Sequence, residues 1–213
     1  MKRVLLAAVA LMLMVATSAN AWDAPKKKEE IKVDNSVMEV EWQDSTDIEM
    51  LKQVRSDLKR ARGDKDIKTL KVTIISPGGP VVTSLEIARL VRQASEKGLV
   101  IEIHAVALCA SGCTFVLAAG TPGHRYITKE ALYFVHPLQV GGGFGSSSCG
   151  AYTNEPKSDQ DKIINVLLDT MRDMYMRFSG KDKATVEKWL TCGNEQAGNG
   201  DLAVSLGLAD KTE

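Results

Sequence analysis

Neither positive nor negative charge is in excess in this chain. Its 213 residues carry 27 Lys and Arg against 27 Asp and Glu, so the formal net charge is zero. Without a basic excess there is no global electrostatic footprint for nucleic acid or for an anionic membrane surface. Long apolar runs are also missing. After the stretch Val4 to Val15 nothing approaches the ~20 residues that a membrane span requires. No internal repeat organises the sequence. Histidine is scarce, with only His104, His124 and His136, so imidazole chemistry has few candidates. Cysteine occurs four times, at 109, 113, 149 and 192. Cys109 and Cys113 have tolerable ligand spacing for zinc, but no second close Cys/His pair accompanies them. No metal and no cofactor is expected.

The N-terminus has a recognisable purpose outside the fold. Lys2 and Arg3 precede the apolar run, and Ala19-Asn20-Ala21 matches the small-x-small pattern of a cleavage site. Together these predict a secretory signal peptide over residues 1–21, removed after Ala21. The alternative is an uncleaved anchor. No cysteine stands at the cleavage site to accept a lipid. The expected address is therefore periplasmic or secreted, an oxidising setting that permits disulfides. Of the three full pairings open to four cysteines, Cys109–Cys113 with Cys149–Cys192 is the one favoured. Residues 22–36, rich in Lys and Glu, read as a solvated arm, and residues 37–213 as one domain.

Along that domain strand patterns alternate with helical ones. Val37 to Trp42 reads as a strand. Ile48, Leu51, Val54, Leu58 and Ala61 recur at helical spacing. Leu70 to Ile75 is β-branched and apolar, a buried strand, and runs into the turn signal Ser76-Pro77-Gly78-Gly79-Pro80. Val81, Leu85, Ala88 and Val91 form a helical stripe ending near Gly98. Val100 to Ala107 is the next strand, Thr114 to Ala119 a buried helix, and Ala131 to Val135 a strand ending at His136-Pro137. Residues 141–150 form a Gly/Ser-rich loop or mobile strand. The strongest helix contains Ile163, Ile164, Leu167, Met171, Met174, Tyr175 and Phe178. Two short helices follow, Thr185 to Leu190 and Asp201 to Leu206. The alternation predicts an α/β fold with a largely parallel sheet.

Two Gly/Ser-rich turns each follow an apolar strand and open a helix. A helix N-terminus points free N–H groups at one spot, and such donors stabilise an oxyanion in acyl transfer. Gly79 and Gly112 are the donor candidates. Ser111, between Ala110 and Gly112, is the candidate nucleophile, and it needs a base. His104 lies mid-strand and reads as a packed histidine, and His124 lies in an exposed Pro-Gly loop. His136 ends an apolar strand, as Ser111 does, and is the candidate base. Ser146, Ser147 and Ser148 read as loop residues.

These segments resemble the Clp protease proteolytic subunit. Ser76-Pro77-Gly78-Gly79 is similar to that family's SPGG motif. Ala110-Ser111-Gly112, with Leu117-Ala118-Ala119-Gly120 and Gly123-His124-Arg125-Tyr126, resembles its nucleophile segment. Tyr133-Phe134-Val135-His136-Pro137 resembles its histidine segment, and the interval between Ser111 and His136 matches the family's. Ala203 to Lys211 resembles its last helix and exit strand. The resemblance implies a ClpP/crotonase-like fold of stacked ββα units and a homo-oligomer. It also implies a Ser-His-acid site with Ser111 as nucleophile, His136 as base, and the Gly79 and Gly112 amides as oxyanion hole. An ungapped count from Ala203 puts the family's acid on Glu195, with Asp201 as the alternative, although Asp201 also suits a helix cap. Residues 137–157 depart from the family through the Gly/Ser insertion with Cys149, which bears on its double-ring assembly.

The leading expectation is a serine peptidase acting on peptides or unstructured protein segments. No AAA+ ATPase partner is expected, because the periplasm has no nucleotide pool. The rival is a non-catalytic binding or scaffold protein on the same fold. A crotonase-type acyl-CoA enzyme shares the two-amide oxyanion hole, but export separates it from an intracellular cofactor. A Ser–Lys dyad would need Lys129, which reads as a surface residue.

Overall fold

The computed structural model describes residues 34–141 and 148–213. The expected signal peptide 1–21 and most of the arm 22–36 lie outside them, as do Ser146 and Ser147. Strand β1 (Val37–Gln43) leads into α1 (Ile48–Gly63), β2 (Thr69–Ser76), α2 (Val81–Glu96), β3 (Val100–Ala110) and α3 (Gly112–Ala119). After these come β4 (Arg125–Ile127), β5 (Leu132–Val135) and a small hairpin of β6 (Gln139–Val140) and β7 (Ser148–Cys149). The chain ends with α4 (Asp159–Ser179), α5 (Lys183–Trp189), β8 (Gln196–Gly198), α6 (Gly200–Ser205) and β9 (Lys211–Thr212).

Seven strands form one sheet in the order β1-β2-β3-β4-β9, with β5 branching from β3 and β8 pairing with β5. Every pairing in it is parallel except β5–β8. Parallel neighbours need crossovers, which α1 and α2 supply. Strand β2 shows why the sheet sits where it does. Leu70, Val72, Ile74 and Ser76 are buried on one face while the residues between them stay half-exposed. The helices complete the layer with single apolar stripes: Met50, Leu51, Val54, Leu58 and Ala61 on α1, and Leu85, Ile87, Ala88, Val91 and Ala94 on α2. The result is the largely parallel α/β architecture that the alternating patterns predict, in agreement with the ClpP/crotonase-like fold that the resemblance implies.

Helix boundaries follow their caps. Asp47 accepts from the Glu49 and Met50 amides at the start of α1, satisfying two orphan donors. Helix α4 opens on a capping box between Ser158 and Asp161 and stops at Gly180 in the left-handed conformation. Two places differ from the sequence reading. Strand β3 continues past Ala107 to Ala110, through a register irregularity against β2 and a positive φ of 59° at Ala107. Strands β4, β8 and β9 span two or three residues each, too short for alternation to register.

A buried ion pair ties the last turn to the core. Arg125 on β4 meets Asp210 at 2.6 Å and also donates to the carbonyls of Phe178 and Gly207. Burial alone would raise the Asp210 pKa, but hydrogen bonds and charge from Arg125 outweigh it and hold the carboxyl below its usual range.

Candidate active site

Ser111 stands between the end of β3 and the first residue of α3, with φ 53° and ψ −124°. A non-glycine residue in that region is strained and must be held by its surroundings. The Ser111 amide donates to the Phe134 carbonyl of β5 at 2.8 Å. The Ser111 carbonyl accepts from Thr114 Oγ1 at 2.6 Å, and that oxygen in turn lies 2.6 Å from the Tyr175 hydroxyl on α4. Burial pushes the Tyr175 pKa up, so the phenol stays protonated as part of this relay.

The two glycine turns are pressed together. Gly78, at φ +90°, leaves no room for a side chain, because a Cβ there would lie 2.6 Å from Ala110 O, Gly112 N and Ser111 Cβ. Gly112 lies against Ser84 Oγ and Thr46 Oγ1, which are themselves 2.6 Å apart and buried. Neither the Gly79 nor the Gly112 amide donates to another group among the described residues. Both glycines line a cavity of about 150 Å³ together with Ser111, His136, Phe115, Leu138, Met171 and Tyr175. Nucleophile candidate, base candidate and the two donor-candidate glycines therefore line one small pocket. Grooves of about 570 and 630 Å³ lie elsewhere, between α2 and α4 and beside α5. Neither is lined by a histidine or by a candidate nucleophile, so size does not identify the site.

His136 follows β5 directly. Its Nδ1 lies 2.6 Å from the Pro137 carbonyl. A carbonyl only accepts, so Nδ1 carries a proton, and in the neutral ring Nε2 is left as the acceptor. That is the tautomer a general base requires. Among the described residues no hydrogen bond joins Ser111 to His136 in this conformation, and none joins His136 to an acid. Glu195 is exposed on the loop before β8. The β5–β8 ladder ends at Val135 opposite Gln196, so Glu195 stands one step beyond the last pair. Asp201 is in the first turn of α6 and is not its cap: the cap is Asn199, two residues earlier, whose side chain accepts from the Asp201 amide. Lys129 is exposed after β4. His104 lies on β3, Nε2 2.8 Å from Glu102 and Nδ1 2.8 Å from Glu213, stacked on Tyr126. His124 lies 3.5 Å from the same Glu102.

One cysteine pair forms as expected, Cys149–Cys192. The other does not. Cys109 and Cys113 are free thiols, both fully buried, with their sulfurs 2.7 Å apart. Burial raises the Cys109 pKa well above the usual thiol range, which withholds the thiolate that disulfide exchange needs. Ser148, the described member of the serine run, lies in β7 and donates to the Val140 carbonyl. Sequence reading missed Thr46, Ser84, Thr114 and Tyr175, which brace the nucleophile turn from four different helices or their flanks. They are single polar residues far apart in the chain, and only packing brings them together. By spacing Tyr175 belongs to the apolar stripe of α4, a role it also plays against Phe115, with ring centroids 4.2 Å apart.

The Clp protease family model matches residues 29–212. With that match across most of its length, and with the family's motifs meeting on one pocket of the expected fold, the chain belongs to the Clp protease family, a family of peptidases.

Proposed function

We propose that this chain is an exported, ATP-independent serine peptidase in which Ser111 attacks a peptide carbonyl and His136 takes the hydroxyl proton. The observation that carries the reading is the convergence of Ser111, His136, Gly79 and Gly112 on one cavity. Attack by Ser111 Oγ places negative charge on the carbonyl oxygen, which the Gly79 and Gly112 amides stabilise. His136 Nε2 then carries the proton and delivers it to the leaving amine, and water releases the acyl group by the reverse steps. Glu195 is the proposed acid, ahead of Asp201. It acts once the His136 ring exchanges the Pro137 carbonyl for the carboxylate. The substrate is a peptide or unstructured protein segment, the working form a homo-oligomer, and the location the periplasm or the exterior.

A second reading, a scaffold that has kept the fold and lost turnover, is favoured by one observation. His136 is bonded to the Pro137 carbonyl and, among the described residues, not to Ser111 or an acid. A fluorophosphonate probe separates the two. Adduct at Ser111 in the folded, oxidised protein, abolished in Ser111→Ala and His136→Ala, supports the peptidase. No adduct in any oligomeric state supports the scaffold.

A further inference from the structure

The disulfide sits at a particular place relative to the base. Strand β6 begins three residues after His136, and Gln139 pairs with Cys149 of β7. The Gly150 amide donates to Leu138 O at 2.7 Å, fastening the same junction. Cys149 is bonded to Cys192, and Cys192 precedes Glu195 by three residues. On the other side, β8 pairs antiparallel with β5 up to Gln196 opposite Val135. Directly opposed residues of antiparallel strands project on the same face. Continued by one step, this register puts the side chains of Glu195 and His136 on one face. His136 keeps to that face, its ring 5.2 Å from that of Phe134 two residues earlier.

The backbone from His136 to Gln139, the β6–β7 pair, the disulfide and the stretch Cys192 to Gln196 therefore close a small ring around the end of the β5–β8 ladder. Strand β8 alone is a weak support. It has three residues, includes Gly198, and is mostly exposed. We propose that the Cys149–Cys192 disulfide is a positioning device that keeps Glu195 within reach of His136, so that opening it uncouples acid from base. The proposal rests on the reading of Ser111 and His136 as nucleophile and base. Cys192 is exposed and Cys149 partly so, whereas Cys109 and Cys113 are buried. A small dithiol therefore opens this bond selectively: Cys149 and Cys192 each gain a hydrogen as thiols, and the dithiol is oxidised to its own disulfide.

The test compares fluorophosphonate labelling of Ser111, from pH 5 to pH 9, in the oxidised full chain, the dithiol-reduced and alkylated chain, Cys149→Ser/Cys192→Ser, Glu195→Gln and the combined triple variant. Near-UV circular dichroism reports folding, and the reduced wild-type chain replaces the double variant if that variant does not fold. Opening the bond is expected to slow labelling about tenfold or more, to alter the pH profile as Glu195→Gln does, and to add nothing in the triple variant. Labelling within twofold of the oxidised chain, or losses that multiply with those of Glu195→Gln, overturns the proposal. Absence of labelling in the oxidised chain instead overturns the peptidase reading. The His136 ring-nitrogen NMR signal then decides the positioning proposal by itself. A response to Glu195→Gln only while the disulfide is intact supports it. No response, or the same response with the bond open, overturns it.

Discussion

Ser111 holds a backbone conformation that serine rarely adopts, and Gly78 is the reason it can. With φ +90° and no space for a Cβ against Ala110, Ser111 and Gly112, Gly78 lets the two turns touch. Gly78→Ala is expected to destabilise the protein by about 1–3 kcal/mol, and a denaturant titration measures it. Labelling of Ser111 should fall with it, because the turn must shift to admit the methyl group. Ser111→Ala and His136→Ala should leave the melting temperature nearly unchanged while peptide hydrolysis drops about a thousandfold or more. Equal loss of stability and activity would mean instead that these residues serve packing.

Helices α3 and α4 meet the nucleophile turn through Thr114 and Tyr175, and this contact makes α4 more than a cover for the sheet. Thr114 Oγ1 bridges the Ser111 carbonyl and the Tyr175 hydroxyl, all within 2.6 Å steps. Tyr175→Phe keeps the ring stacked on Phe115 and removes only the hydroxyl. It is expected to cost about 1 kcal/mol, read by thermal melting, with slower Ser111 labelling. Unchanged labelling would confine Tyr175 to packing. Helix α4 was legible from its apolar spacing alone, but its polar contact was not. Periodicity shows which side of a helix is buried and not what a hydroxyl on that side will meet.

Over the whole molecule, stability should depend on pH through carboxylates that the fold holds ionised. Asp210 sits below its usual range because Arg125 outweighs the effect of burial. Glu102 is lowered as well, burial being overcome by hydrogen bonds from His104 and His124. A depressed folded pKa means that the unfolded chain binds the proton first. The stabilisation is therefore complete above the ordinary carboxylate range, about pH 4–4.5, and is lost as pH falls through the lower folded values. Thermal melts should be flat near neutrality with respect to these two groups and should decline below about pH 4.5. Asp210→Asn should lower the melting temperature at pH 7 and flatten the acid-side slope. An unaltered slope would assign acid sensitivity elsewhere.

Local pattern was enough for the strand–helix alternation, the largely parallel sheet and the turn from Ser76 to Pro80, and it singled out Ser111 and His136 as candidates. These depend on local periodicity, turn chemistry and spacing, which are written within a few residues of each other. The rest came from packing. It left Cys109 and Cys113 as buried thiols, where burial disfavours the thiolate that disulfide exchange needs. It gave Asp201 to the first turn of a helix and ended the β5–β8 ladder one residue short of Glu195, through a three-residue strand too short to carry a pattern. It turned His136 towards the Pro137 carbonyl and gathered Thr46, Ser84, Thr114 and Tyr175 behind one serine. Contacts of this kind join residues distant along the chain, and they are set by packing rather than by any local preference of the residues involved.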